Sequence, residues 1–143
     1  MDKRAVSIGV VVAMIAWGIG RLIASTRHAL AEHIDVEAGM VVVGSLYQLV
    51  GTFHWLLGGM AVGYLCNGKP IKNGAITGAI YGGLFCLLGL ILLKVDGDLK
   101  TFEAAHFFRM IATIAQYAFL FVLASCFGFA LKAWRVPFLT ARQ

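Results

Sequence analysis

Residues 44–93 read GSLYQLVGTFHWLLGGMAVGYLCNGKPIKNGAITGAIYGGLFCLLGLILL, two apolar runs on either side of a polar joint at Asn67–Gly74. Neither run carries an acidic residue, and the only lysines or arginines, Lys69 and Lys72, lie in the joint. About 20 apolar residues in a helix cross a hydrocarbon core of about 30 Å. Pro70 forbids one continuous helix through the joint. The stretch therefore predicts a membrane helical hairpin. Gly59 and Gly63 precede the joint, and Gly74, Gly78 and Gly82 follow it at small-xxx-small spacing. Such stripes let helix backbones approach closely in lipid, where dispersion replaces the missing hydrophobic drive. The two stripes are expected to face each other within the hairpin, with the same face of another subunit as the alternative partner.

Composition extends this reading to the whole chain. Of its 143 residues 60% are hydrophobic and 13% charged, with a mean hydropathy of +0.85. Soluble domains are about a quarter charged, and so short a chain cannot enclose this much apolar surface. The expected fold is all-α: a single-domain polytopic membrane protein, a bundle of four transmembrane helices at 5–24, 38–66, 74–94 and 103–133. The polar connector 25–36 reads as a short amphipathic helix on the outer membrane face, with Ser25 or Thr26 as its cap. A cleaved signal peptide is the rival for the first segment. The length of that apolar run, and Arg21 anchoring its end, favour a membrane span. Trp134 and Arg135 suit the far interface, and Pro137 marks the expected end of the last helix.

Charge sets an expected orientation. Lys3, Arg4, Lys69, Lys72, Lys132, Arg135 and Arg142 fall on one side, against Arg21, Arg27, Lys94 and Lys100 on the other. The positive-inside rule then places both termini in the cytoplasm, in a bacterial inner membrane. No dense basic block points to nucleic acid, and no internal repeat points to an inverted-repeat transporter. Cys66, Cys86 and Cys126 form no CxxC pair and read as small buried apolar residues.

Ionisable side chains at membrane depth are the default functional candidates. At about 1.5 Å per residue, His54 and Tyr81 reach the same level from opposite sides. A His54–Tyr81 hydrogen bond is expected, for packing alone or as part of a proton relay, because histidine titrates near neutrality. On the outer half, Arg109 and the polar side chains Gln48, Thr52, Thr113 and Gln116 would line an outward pocket if their faces converge; otherwise they act as interhelical glue. Two histidine–carboxylate pairs, His28/Glu32 and His33/Glu37, stand four residues apart. With His106 they are weak metal candidates without a closed ligand set. His54 and His106 differ in depth by roughly 20 Å at helical rise, too far for one haem, so neither haem nor metal is expected.

Two functional classes remain. One is a non-enzymatic protein working by helix–helix association with a membrane partner or itself, as an accessory subunit or immunity-type protein. The other is a small oligomeric channel or transporter using His54 and the outer pocket. A single four-helix bundle is thin for a pathway, so the second class needs an oligomer.

Overall fold

The computed structural model describes residues 1–31, 51, 53–95 and 104–140, with side chains over 1–23, 51, 53–92 and 106–134. All regular structure among them is helical: α1 (Lys3–Ala31), α2 (described at 51 and over 53–65), α3 (Pro70–Val95) and α4 (Ala104–Thr140). Three of these contain stretches long and apolar enough to cross a membrane, Lys3–Ile23, Pro70–Leu92 and His106–Trp134. Large apolar side chains such as Leu22, Leu87, Phe108 and Phe119 lie exposed on the outside of the bundle, where lipid is their natural solvent.

Helix boundaries differ from expectation at three places, each for a local reason. α1 runs through Ser25 and Thr26 to Ala31, so the first part of the expected connector continues the helix. No glycine or proline interrupts Ala24–Ala31, and a Ser or Thr alone does not stop a helix. α3 starts at Pro70 instead of near Gly74. Proline has its φ preset for the first helical position, where its missing N–H costs nothing. α4 passes Pro137 and ends at Thr140. So close to a helix end, proline removes one backbone bond without a following turn to disrupt.

The glycine stripes take a different partner from the one expected. A methyl group on Gly63 would strike the Ser125 carbonyl, and one on Gly59 would strike Ala124 Cβ. On α3, a methyl on Gly74 would lie 2.8 Å from the Phe121 carbonyl oxygen, one on Gly78 would strike the Tyr117 carbonyl, and one on Gly82 would lie 3.0 Å from Ile114 Cα. Both stripes therefore press on α4. The nearest neighbour of each of these glycines is the fourth helix, not the opposite stripe. α4 contributes its own gap, because Gly128 receives the Met60 carbonyl. The physical reason is supply: α4 presents backbone at small or half-buried positions (Ala118, Ala124, Ser125, Gly128) along one side.

α1 uses a third small-residue stripe. Ala5, Gly9 and Ala13 are buried at four-residue spacing. A methyl on Gly58 of α2 would lie 2.7 Å from both Ala13 Cβ and the Gly9 carbonyl oxygen.

The end of the bundle carrying the 66–69 turn is fastened by polar groups. Gly68 (φ 114°) and Lys69 (φ 58°) are left-handed; Gly68 adopts this freely, while Lys69 costs about 1 kcal/mol. Asn73, 2% exposed, donates from Nδ2 to the Gly68 carbonyl (3.3 Å) and accepts the Asp2 N–H on Oδ1 (3.1 Å). Asp2 in turn caps α1 by accepting the Ala5 N–H (3.2 Å). From α4, the Ser125 hydroxyl donates to the Pro70 carbonyl (3.0 Å) and Lys132 Nζ donates to the Cys66 carbonyl (3.0 Å). That ammonium meets the negative end of α2, where orphan carbonyls need donors.

Candidate functional site

The interior above this turn is aromatic. Tyr81 and Phe85 are one turn apart on α3, where their rings stack at 6.4 Å and 26°, and Tyr117 and Phe121 are one turn apart on α4. The close approach at Gly78 and Gly82 brings the two ladders into contact. Tyr81 meets Tyr117 edge-on at 5.1 Å between centroids and Phe121 at 5.5 Å. His54 of α2 lies against them, 5.5 Å from Tyr81 and 6.0 Å from Tyr117. Trp17 of α1 closes the cluster with an edge-to-face contact on Phe85 at 5.9 Å and 86°. His54 is 6% exposed, and Tyr81 and Phe121 are fully buried.

The depth argument thus brings His54 and Tyr81 together, but not as a hydrogen-bonded pair. Their contact is ring against ring with planes tilted by 35°, and Tyr81 Oη has no hydrogen-bond partner among the described residues. Desolvating a hydroxyl without a partner costs about 1–3 kcal/mol. Tyr81→Phe should therefore leave stability unchanged or raise it by about 1 kcal/mol. Unfolding in mixed micelles checks this; a marked loss would mean that the hydroxyl does have a partner.

Among the described residues the remaining candidates do not line one pocket. Arg109 and Thr113 line a cleft of about 320 Å³ between α3 and α4 with His106, Cys86 and Met110. The Thr113 hydroxyl is turned onto its own helix, donating to the Arg109 carbonyl at 2.8 Å. Gln116 is exposed on the outward side of α4. Gln48, Thr52, Glu32, His33 and Glu37 lie outside the described residues, as does the side chain of His28. Among the described residues no three His, Cys, Asp or Glu side chains gather as a metal site. Cys66, Cys86 and Cys126 are free thiols.

A second opening, about 360 Å³, lies between α1, α2 and α3. Trp17 and Arg21 come from α1, Gly51 and His54 from α2, Phe85 and Gly89 from α3. The Arg21 guanidinium sits 5.9 Å from the Trp17 ring centroid, within cation–π range.

Sequence reasoning missed Asn73, Ser125 and the α1 stripe. The stripe carried a usable signal, Ala5-xxx-Gly9-xxx-Ala13, of the same kind as the glycines that were noticed. Asn73 carried none, since polar residues near a turn ordinarily face water, and Ser125 carried none that named its partner, a backbone carbonyl.

No protein-family model matches the chain, and no curated protein or solved structure shows significant similarity to it.

Proposed function

We propose that this is a non-enzymatic integral membrane protein that acts by lateral association of α4 with another membrane helix, as an accessory subunit or immunity-type protein or as a self-associating one. The observation that carries this reading is Gln116. It is exposed on the side of α4 turned away from Phe121, with Ala112 and Leu123 on the same side. Among the described residues its amide has no hydrogen-bond partner. An amide facing hydrocarbon unpaired costs several kcal/mol, and a polar group on a facing helix removes that cost. An amide both donates and accepts, so two copies related by a two-fold axis satisfy each other. The glycine stripes support the same reading from the other direction, since they are consumed inside the bundle and leave α4's outer side for a partner.

The transport reading draws less support, because its described residues are divided among the aromatic interior, the α3–α4 cleft and the outer face. Orientation follows as part of the proposal. Met1–Lys3 lie beside Asn67–Lys69, and Lys132 reaches Cys66 at the same end. Basic residues from three segments thus share one end, which supports a cytoplasmic placement for it in a plasma membrane.

Labelled protein in liposomes, read by energy transfer between copies and by co-purification, tests the association. Gln116→Leu should weaken it about 3- to 30-fold, the span of membrane interhelical hydrogen bonds. Association that Gln116→Leu leaves unchanged, or a natural chain that neither self-associates nor retains a partner, would remove the basis of the proposal.

A further inference from the structure

The opening between α1, α2 and α3 contrasts with the rest of the bundle in how it uses glycine. At Gly58, Gly63, Gly74 and Gly78 a methyl group would collide with a neighbouring helix. At Gly51 and Gly89, which line the opening, a methyl would meet nothing within 4 Å. A glycine inside a helix costs roughly 1 kcal/mol relative to alanine. Where it permits no close approach, its effect is to leave room. The space is walled by Phe85, Leu88 and Leu92 on α3 and by Trp17 on α1. One fixed charge stands at it, Arg21, which has no carboxylate partner among the described residues.

Polarity is ordered along the space. Arg21 and Leu92 lie toward the end of the bundle opposite the 66–69 turn, near the last residues of the apolar spans of α1 and α3. Phe85 and His54 lie deeper. The arrangement is a cation at the membrane boundary above an apolar slot, which matches an anionic headgroup above an acyl chain. The guanidinium is planar, rests near the Trp17 ring and suits a phosphate oxygen pair. The volume, about 360 Å³, is at the lower end of the range of small-molecule sites.

We propose that this opening holds one anionic phospholipid of the surrounding bilayer, its phosphate on Arg21 and one acyl chain between Trp17, Leu88 and Leu92. The site is independent of the α4 surface. It makes a bound lipid part of the α1–α3 contact, beside the Trp17–Phe85 ring pair.

Native mass spectrometry tests it on the full chain, reconstituted with equal amounts of phosphatidylglycerol and phosphatidylcholine carrying the same chains and then extracted in mild detergent. The expected result is one retained lipid per protein, with about a tenfold preference for phosphatidylglycerol from the charge-assisted contact. Arg21→Gln should abolish the preference. Gly89→Leu fills the slot from α3 and should remove retention of both lipids. Gly51→Leu fills it from α2 and serves if the first variant does not fold. Gly83→Leu, at a glycine that also meets nothing within 4 Å but does not line the slot, should behave as the natural chain does. Equal retention of the two lipids, a non-lipid adduct in their place, or unchanged retention when the slot is filled would overturn the proposal.

Discussion

Gly78→Ala should destabilise the bundle by about 3 kcal/mol or more, while Gly83→Ala, five residues further along the same helix, should leave it unchanged or gain up to about 1 kcal/mol. The added methyl at residue 78 strikes the Tyr117 carbonyl and lies 2.6 Å from Ala118 Cα. Both are backbone atoms of a continuous helix, so no rotamer change relieves the collision. α3 would have to move away from α4, separating Tyr81 from Tyr117 and Phe121. The methyl at residue 83 meets nothing within 4 Å, so the gain in helix propensity is not offset. Unfolding of both variants in mixed micelles, followed by circular dichroism, gives the comparison. Near-equal stabilities would mean that α3 and α4 are not in backbone contact.

Asn73→Ala should cost about 2–4 kcal/mol, with the loss concentrated at the turn. One side chain serves both Gly68 and Asp2, and removing it leaves a carbonyl and an amide without those partners. Lys69 in its left-handed conformation then loses the surroundings that hold it there. Hydrogen exchange at residues 66–73 should rise well before exchange at Tyr81 or Phe121, and protease should cut at Lys69 or Lys72. Asn73→Asp keeps the acceptor for the Asp2 N–H and loses the donor to Gly68, so it should fall between the two. Uniform exchange across the bundle in Asn73→Ala would show that the turn is not a separately held unit.

The helical class and three of the four expected apolar spans were legible because they depend on a local quantity, apolar residues per turn; residues 38–50 of the second expected span lie outside the described residues. The same holds for the positions of Gly59, Gly63, Gly74, Gly78 and Gly82 as close-approach sites. Their partner was not legible. A small-residue stripe says that a helix will be approached and does not say by which neighbour, and adjacency in the chain suggested the hairpin where the geometry favours α4. His54 and Tyr81 were brought to one depth by counting residues, yet depth says nothing about ring orientation, so the expected hydrogen bond is a ring contact. Gln116 could be placed on a helix but not on a side of it, because Thr113 and Tyr117 lie close to it along the same helix and point elsewhere. Asn73 stayed invisible because its partners are backbone groups, which every residue carries.

Because α4 follows α2 and α3 in the chain, the glycine tracks of α2 and α3 are made before the helix they meet. Packing at those tracks therefore waits for α4, and a nascent chain arrested before Tyr117 would hold two helices that have nothing to clasp. Chains cut short before α4 should therefore be removed by proteases instead of accumulating as partial bundles.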